Sequence, residues 1–424
     1  MKLVIRFAVL CLLLGAGLWV QEHWHLRYIN TDVTWTEYER TQLSSLKLTL
    51  DINQTHSSNA NPLPDAPAAA KFGQALFFDK RLSKNGKVAC ASCHIPENYF
   101  AEKTSLPELA GSGATRNTPT VVGAFASLWQ FWDGRKDSLW SQALGPFENP
   151  DEHNMTRQEI LLQVNQHYAE DYTALFGDLP HLTSLIETPS KSEQTSIDHA
   201  FANIGKAIAA YEAQLMPSPS RFDLFVTQLL HHKTQPDDTS QPSQPKQSRY
   251  LNGMEQQGLK LFLSEEHGRC FRCHNGPYFS NFDFQVIGTE KTHKTHADLG
   301  RLRGVQLHLA DPFKCSGIYS DANVDLGECN ESIYTKIIGS ELDGAFKVPS
   351  LRNVTLTAPY MHHGEMETLT DVLQHYSRVN PKTQQHLDIE PLGLMPHELK
   401  LIELFLHTLE GGIAAESHWL SSPH

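Results

Sequence analysis

Two five-residue stretches decide the fold of this 424-residue chain, Cys90-Ala91-Ser92-Cys93-His94 and Cys270-Phe271-Arg272-Cys273-His274. In each, two thiols lie one helical turn apart, a spacing suited to thioether bonds with the two vinyl groups of one porphyrin. The His that follows is placed to give an axial nitrogen to the iron. The motifs therefore predict two covalently attached c-type haems, with His94 and His274 as proximal ligands.

A thioredoxin-like redox pair and a zinc site are the alternatives for a Cys-x-x-Cys motif. The His after both motifs argues against them, and so does the N-terminus. There Lys2 and Arg6 flank an apolar run over residues 7–20, which is typical of an export segment. Because no small-x-small cleavage site follows, residues 1–25 are interpreted as either a signal sequence or a membrane anchor. Both place the chain in the periplasm.

Two further cysteines, Cys315 and Cys329, lie outside the motifs. In an oxidising compartment such a pair is expected to form a disulfide. A redox or metal-binding pair is the alternative. No His or further Cys lies beside them at metal-ligand spacing, which favours the disulfide.

The length of the chain is enough for two domains, each with its own core. Hydrophobic residues make up 40%, a normal share for a globular protein. The formal net charge of −13 argues against nucleic acid as a partner.

Apolar periodicity predicts helices over residues 68–78, 197–215, 254–263 and 396–409. A helix that leads into a Cys-x-x-Cys-His motif and a closing amphipathic helix thus occur once in each half. The predicted class is mainly α, with two cytochrome c-like domains that each carry one haem. The predicted segments are a signal or anchor (1–25), a tether (26–60), an N-terminal haem domain (61–230), a polar linker or insertion (231–249), a C-terminal haem domain (250–412) and a tail (413–424).

Several longer strings around the motifs resemble the bacterial di-haem cytochrome c peroxidase superfamily, which includes the MauG enzymes. The resemblance covers about residues 62–411. The strings are Leu76-Phe77-Phe78-Asp79-Lys80-Arg81-Leu82-Ser83, Arg116-Asn117-Thr118-Pro119-Thr120, Gln130-Phe131-Trp132-Asp133-Gly134-Arg135, Gln142-Ala143-Leu144-Gly145-Pro146, Phe346-Lys347-Val348-Pro349-Ser350-Leu351-Arg352-Asn353 and Pro359-Tyr360-Met361-His362.

The resemblance implies unequal roles for the two haems. Hydrogen peroxide would react at the N-terminal haem of His94, and the C-terminal haem of His274 would hold or relay electrons. Trp132 would be the electron bridge between them. A buried core aromatic is the other interpretation of Trp132.

Gln142 and Glu152 match the distal pocket of the family, over the peroxidatic iron. Peroxide must lose a proton to bind iron and must gain one for water to leave, and a carboxylate can do both. Glu152 is therefore the candidate catalytic base. Its setting is unusually charged, so a solvated surface carboxylate is the alternative, and His153 is a further candidate for the proton transfer.

A Ca²⁺ ion lies between the domains in the family. The ligands map onto the side chain of Asn117 and the backbone carbonyls of Thr357 and Pro359. Hard oxygen donors of this kind suit Ca²⁺. This site is an implication of the resemblance alone.

Two departures from the classical peroxidases concern the axial positions. Classical members have a His in the loop before the Arg-Asn-Thr-Pro string, which caps the peroxidatic iron until the other haem is reduced. Residues 105–113 contain no His, so an open iron is expected without reductive activation. At the second haem, the position of the classical Met ligand falls on Tyr376, and MauG-type enzymes use a Tyr there. An anionic phenolate favours higher-valent iron.

The alternatives at that position are His375, Met361 or Met366 as the ligand. The sequence as a whole predicts a periplasmic MauG-type di-haem peroxidase. It would reduce hydrogen peroxide with electrons from a donor protein or from a protein whose Trp or Tyr side chains are modified. A classical peroxidase with a small cytochrome c donor is the second interpretation, and a non-enzymatic di-haem electron carrier is the third.

Overall fold

The computed structural model describes residues 33–49, 66–109, 111, 113, 115–181, 189–231, 248–289, 292–293, 296–380 and 386–423. Within these ranges the chain is mainly α, as predicted. The predicted export segment and most of the predicted linker, residues 232–247, lie outside the described residues. In the part of the chain that is described, no helix is both long enough and apolar enough to span a bilayer.

The helices are short, and the strands contain two residues each. The helices are α1 (Glu37–Leu46), α2 (Ala66–Phe78), α3 (Cys90–Cys93), α4 (Leu139–Glu148), α5 (Arg157–His167), α6 (Ala169–Phe176), α7 (Lys191–Glu212), α8 (Arg221–His231), α9 (Gly253–Leu263), α10 (Arg301–Ala310), α11 (Asn330–Ile333), α12 (Leu369–Arg378) and α13 (Pro396–Leu406). The strands pair antiparallel, β1 (Phe284–Gln285) with β4 (Phe346–Lys347) and β2 (Thr292–His293) with β3 (His296–Ala297).

In the N-terminal half, α2 crosses α7 with almost no side chain between the two backbones. Gly73 makes this possible, because a Cβ atom there would lie 1.9 Å from the carbonyl oxygen of Ala207. On either side of the crossing, Phe72, Leu76 and Phe77 bury their side chains in the core. The crossing fixes the helix that precedes the first haem motif against the helix that closes this half.

The C-terminal half repeats the crossing with α9 and α13. A Cβ atom on Gly258 would lie 1.9 Å from the carbonyl oxygen of Leu401. Leu259, Phe262 and Phe405 are buried around it. The helix before each haem motif is therefore held in the same way in both halves, and the helices predicted around both motifs are confirmed.

A tight loop is also repeated. An isolated β-bridge closes it between Gln130 and Lys136 in the N-terminal half and between Tyr360 and Met366 in the C-terminal half. The second residue of each loop has a positive φ in both copies, 63° at Phe131 and 68° at Met361. Residues 132–133 of the first loop consequently correspond to residues 362–363 of the second.

The prediction of a polar tether over residues 26–60 is wrong for its described middle part. Thr36 and Glu39 form a reciprocal capping box that starts α1, and Leu43 and Leu46 are fully buried in the core of the C-terminal half. Apolar residues three apart after a Thr-x-x-Glu sequence were the signal that the polar composition obscured.

Residues near the other end of the sequence likewise pack in the core of the opposite half. Trp419, in the predicted tail, packs in the N-terminal core, and the Tyr211 hydroxyl donates to its carbonyl oxygen at 2.8 Å. Phe225 and Val226 of α8, assigned from sequence to the N-terminal domain, lie in the C-terminal core. The core boundary thus precedes α8 instead of following residue 230.

The predicted disulfide is present between Cys315 and Cys329, with a Cα–Cα distance of 5.6 Å. It bounds a segment that follows α10 in sequence. Phe313 and Tyr319, just before and just inside it, are buried in the N-terminal core. A part of the C-terminal half is thereby fastened onto the N-terminal half.

The two glycine crossings give a stability prediction. Gly73→Ala and Gly258→Ala should each lower the free energy of unfolding by about 2–3 kcal/mol, because the new methyl group meets a backbone oxygen and the helices must separate. Chemical denaturation of the haem-loaded protein would measure this. Gly145→Ala in α4 is the control, since the nearest atom to a Cβ there belongs to the Phe131 side chain, at 3.3 Å, and not to the backbone. An equal loss in all three variants would contradict the backbone contact as the cause.

Candidate active site

The first haem motif begins with α3, and its two thiols are free. The His94 Nδ1 atom faces the carbonyl oxygen of Phe100 at 3.3 Å. A carbonyl only accepts, so Nδ1 carries the hydrogen and Nε2 keeps its lone pair. This is the tautomer that an iron ligand requires.

A small cavity of about 50 Å³ adjoins this motif. It is lined by both motif cysteines and His94, by Gln142, Ala143 and Pro146 of α4, by Ile208 and Glu212 of α7, and by Val88, Ala89, Leu109, Glu152 and His153. The structure thus brings the predicted distal residues, Gln142 and Glu152, into one cavity with the predicted proximal His.

Glu152 is partly shielded from solvent in the turn after α4. Burial raises the pKa of its carboxyl, even though Asn149 Nδ2 donates a hydrogen bond to Oε1 at 2.6 Å and Arg135 contributes a positive charge. A raised pKa is what a group that both accepts and donates a proton needs. Neighbouring His153 is buried, and its Nδ1 is held by the carbonyl oxygen of Leu82 at 2.6 Å.

The volume of this cavity accommodates a few water-sized molecules, far less than a porphyrin. The two cysteines and His94 are the donors that a c-type haem requires. The porphyrin ring is larger than the cavity, so lining side chains would have to move when it binds. Leu109 is the exposed member of the lining, with 53% of its surface accessible. Its side chain would therefore have room on the solvent side to move when the ring binds.

The second haem motif lies beside a much larger cavity, of about 550 Å³. Its two cysteines are also free, and His274 Nδ1 faces the carbonyl oxygen of Phe279 at 2.9 Å. The fixed tautomer is the same as in the first motif. A cavity of this size is in the usual range for bound cofactors, so this half fits the ring and its ligands together.

Tyr376 of α12 lines this cavity with Cys270, Cys273 and His274. Burial raises the pKa of its phenol. Of the alternative ligands, Met361 also lines the cavity, whereas Met366 and His375 do not. His375 Nε2 instead lies 2.7 Å from the carbonyl oxygen of Ile287.

Trp132 lines the same C-terminal cavity, and its indole Nε1 donates to the carbonyl oxygen of Asn117 at 3.0 Å. Pro119, two residues after Asn117, also lines this cavity, and its carbonyl lies against the His94 imidazole. The indole is therefore attached to a short backbone segment that contacts the ligand of the other motif.

All three residues that the resemblance implies for calcium line this cavity as well, namely Asn117, Thr357 and Pro359. Asn117 Nδ2 donates to the carbonyl oxygen of Thr104 at 3.0 Å. Because the amide nitrogen faces Thr104, the side-chain oxygen of Asn117, the atom that could bind Ca²⁺, points away from Thr104. The structure therefore shows that the three residues implied for calcium line one cavity.

Sequence reasoning missed Glu212, at the end of α7. Its carboxyl is buried, lines the cavity of the first motif, and has an Oε2 atom that accepts no hydrogen bond from a described residue. Burial raises its pKa to about 8. The sequence did contain one signal for it. Glu212 lies on the same apolar face of the predicted helix as Ile208 and Leu215.

Comparison with known proteins agrees with this geometry. Residues 67–229 match the model of the family described as di-haem cytochrome c peroxidase. The cytochrome c551 peroxidase of Nitrosomonas europaea is 29% identical over 353 residues, 82% of this chain and 81% of that protein. The methylamine utilization protein MauG of Methylophilus methylotrophus is 26% identical over 347 residues, 81% of this chain and 82% of that protein.

The chain is therefore similar to di-haem cytochrome c peroxidases, by the family model over residues 67–229 and by these relatives over about four fifths of its length. These relatives are named as a peroxidase and as MauG, and haem is the cofactor that the description of the matched family implies.

Solved structures of this family's fold are also similar. The diheme peroxidase BthA of Burkholderia thailandensis E264 superposes with a TM-score of 0.56 at 20% identity, covering 84% of this chain and 88% of that chain. A MauG-like protein associated with microbial copper homeostasis gives a TM-score of 0.54 at 21% identity, covering 92% and 98%. At these identities the similarity establishes the fold alone.

Glu212 gives a pH prediction. The folded protein holds this proton up to about pH 8, whereas the ordinary pKa of the group is 4.5. Between these values the folded state binds more protons than the unfolded state, so the free energy of unfolding falls as pH rises. The slope from this group is at most about 1.4 kcal/mol per pH unit.

Denaturation of the haem-loaded enzyme at several pH values would test this. Glu212→Gln should remove that part of the slope and become more stable than the parent toward pH 8. Glu193→Gln, at an exposed helix start, is the control and should follow the parent. A Glu212→Gln curve parallel to that of the parent would show that the carboxyl does not titrate in this range.

Proposed function

We propose that this protein is a MauG-type di-haem peroxidase that acts in the periplasm. Hydrogen peroxide would be reduced at the N-terminal haem. The C-terminal haem would draw the electrons from a donor protein or from a protein substrate that becomes oxidised. Each peroxide molecule takes up two electrons and two protons to give two waters.

The observation that carries the proposal is the chemical inequality of two similarly built haem sites. The cavity beside His94 contains a carboxyl with a raised pKa, and the cavity beside His274 contains a buried phenol. Two equal, closed haems would serve electron storage only. An acid at one haem and a phenol at the other support peroxide chemistry at the first.

When bound, each haem supplies an iron that exchanges electrons, and the first also supplies the position at which peroxide binds. The protein residues manage the protons. Glu152 Oε2 would take a proton from the incoming peroxide and return it to the departing water, while Asn149 holds Oε1 in place. Gln142, which lines the same cavity, would orient the peroxide oxygens by hydrogen bonding.

Trp132 is proposed as the electron bridge. The hydrogen bond to Asn117 fixes its indole at the wall of the C-terminal cavity, and Pro119 of the same segment contacts the His94 imidazole. A path from one haem to the other would therefore pass through adjoining groups.

Tyr376, in preference to Met361, is proposed as the residue that would bind the iron of the C-terminal haem together with His274. A phenolate is an anionic donor, so it would lower the potential of that iron relative to a Met ligand. The Ca²⁺ ion is proposed between the halves, held by Asn117, Thr357 and Pro359, where oxygen donors from both halves line one cavity.

The similarity to the Nitrosomonas europaea cytochrome c551 peroxidase favours a second candidate, a classical peroxidase with a small cytochrome c donor. The two candidates differ in whether the enzyme must first be half reduced. The absence of a His in residues 105–113 supports the first candidate.

Peroxide added to the fully oxidised enzyme, without a reductant, tests the proposal. The optical spectra of both haems should change at once, because the first iron is open and the second is connected to it. A spectrum that responds only after half reduction would establish the classical candidate instead.

The same stopped-flow measurement tests the base. Glu152→Gln keeps the shape of the side chain but cannot shuttle the proton, so the reaction with peroxide should slow about 10²–10⁴-fold. Asp151→Asn, at the adjacent position, is the matched control and should retain the parental rate. If both variants react at the parental rate, Glu152 has no proton-transfer role.

Tyr376→Phe should change the optical and EPR spectra of the ferric C-terminal haem, because the phenolate is lost from the iron. Tyr360 also lines this cavity, so Tyr360→Phe is the matched control and should leave both spectra unchanged. If the two variants exchange these outcomes, or if only Met361→Leu alters the spectra, the ligand assignment is wrong.

A further inference from the structure

We propose that Asp298, His362 and His363 form a site for a divalent first-row transition-metal ion in addition to the two haem irons. His362 also lines the C-terminal cavity, whereas Asp298 and His363 do not. One ligand atom from each residue lies within 4.8 Å of the other two. Bonds to such ions are about 2.0–2.2 Å long, so small side-chain shifts would bring all three into contact with one ion. Two imidazoles and one carboxylate are a common donor set for these metals.

His363 is oriented as a metal ligand. Its Nδ1 atom faces the carbonyl oxygen of Thr115 at 2.5 Å. The carbonyl accepts, so Nδ1 carries the hydrogen and Nε2 presents its lone pair. An imidazole whose second nitrogen donates to a carbonyl is the usual arrangement around protein-bound metals.

Aromatic contacts on its imidazole ring fix the position of His362. Its ring stacks on Phe346 with centroids 3.6 Å apart and planes 19° apart, and the His363 ring lies 3.9 Å away. Both imidazoles are buried, and the Nε2 atom of each is out of contact with solvent. Two imidazoles fixed side by side lose little conformational freedom on binding one ion.

Asp298 supplies the negative charge. Arg116 binds both of its oxygens, at 2.9 and 2.7 Å. Burial opposes ionisation, but the hydrogen bonds from Arg116 lower the pKa of the carboxyl to about 2. Oδ1 also accepts a hydrogen bond from the Gly300 backbone N–H at 3.0 Å, so Oδ2 is the oxygen that offers a second lone pair to a metal. Arg116 also pairs with Asp133 at 2.6 Å, and Asp133 in turn pairs with Arg135 at 3.1 Å.

The site lies where the two halves meet. Its imidazoles come from the C-terminal copy of the duplicated loop, at the positions of Trp132 and Asp133 in the N-terminal copy. The backbone nitrogen of Asn117 donates to the carbonyl oxygen of His362 at 2.8 Å. None of the three ligands belongs to the proposed calcium site, and nitrogen donors favour transition metals over Ca²⁺.

Zinc uptake by the enzyme loaded with both haems tests the site. After treatment with a chelator and dialysis against Zn²⁺, elemental analysis should find one zinc for every two irons, and excess Ca²⁺ should not displace it. Zinc-edge X-ray absorption should show imidazole and carboxylate neighbours and no sulfur.

His363→Asn and Asp298→Asn should each lose the bound zinc. His386→Asn is the matched control, because His386 contacts Asp388 at 2.8 Å outside this cluster and its loss should leave the stoichiometry unchanged. The proposal is overturned if the parent takes up no zinc beyond exchangeable background, if His363→Asn retains it, or if the absorption spectrum lacks imidazole. The spectrum of the parent decides the question even where a variant fails to fold.

Discussion

The fold depends on a backbone-to-backbone contact that occurs twice. At Gly73 and at Gly258, a helix that precedes a haem motif touches the closing helix of its half with no side chain between them. The apolar residues around each crossing then have only one arrangement in which they can pack closely. In each half the Cys-x-x-Cys-His motif follows the helix that carries this glycine. The contact therefore helps to fix the position of the motif's cysteines and His.

The duplicated frame carries different chemistry in its two copies. Both proximal imidazoles are fixed through Nδ1 by a carbonyl five or six residues later, so the irons would be held alike. The opposite faces are not alike, since Glu152 and Gln142 lie on one side and Tyr376 on the other. The duplicated loop differs in the same manner, with an indole and a carboxylate in one copy and two imidazoles in the other. Divergence within a repeated scaffold is thus the basis of the proposed division of roles between the two haems.

The haem motifs, the helices around them and most of the site were predictable, because their signals are local spacings and strings. Glu152 and Gln142 were assigned by resemblance, and the structure adds their common cavity with His94. Glu212 was missed because its significance depends on burial and on an Oε2 atom that accepts no hydrogen bond from a described residue, neither of which a sequence displays. The helix over residues 37–46 was missed because the polar composition of the segment obscured its local capping signal. That its Leu side chains pack against a segment about 180 positions away is not visible in any local pattern.

The exchange of chain ends between the halves has a consequence for biosynthesis. Trp35 and α1 complete the core of the C-terminal half, while Trp419 completes the core of the N-terminal half. The N-terminal half therefore lacks part of its packing until Trp419 has left the ribosome. The two halves cannot mature one after the other as independent units, and haem attachment would operate on a chain whose first domain is still unfinished.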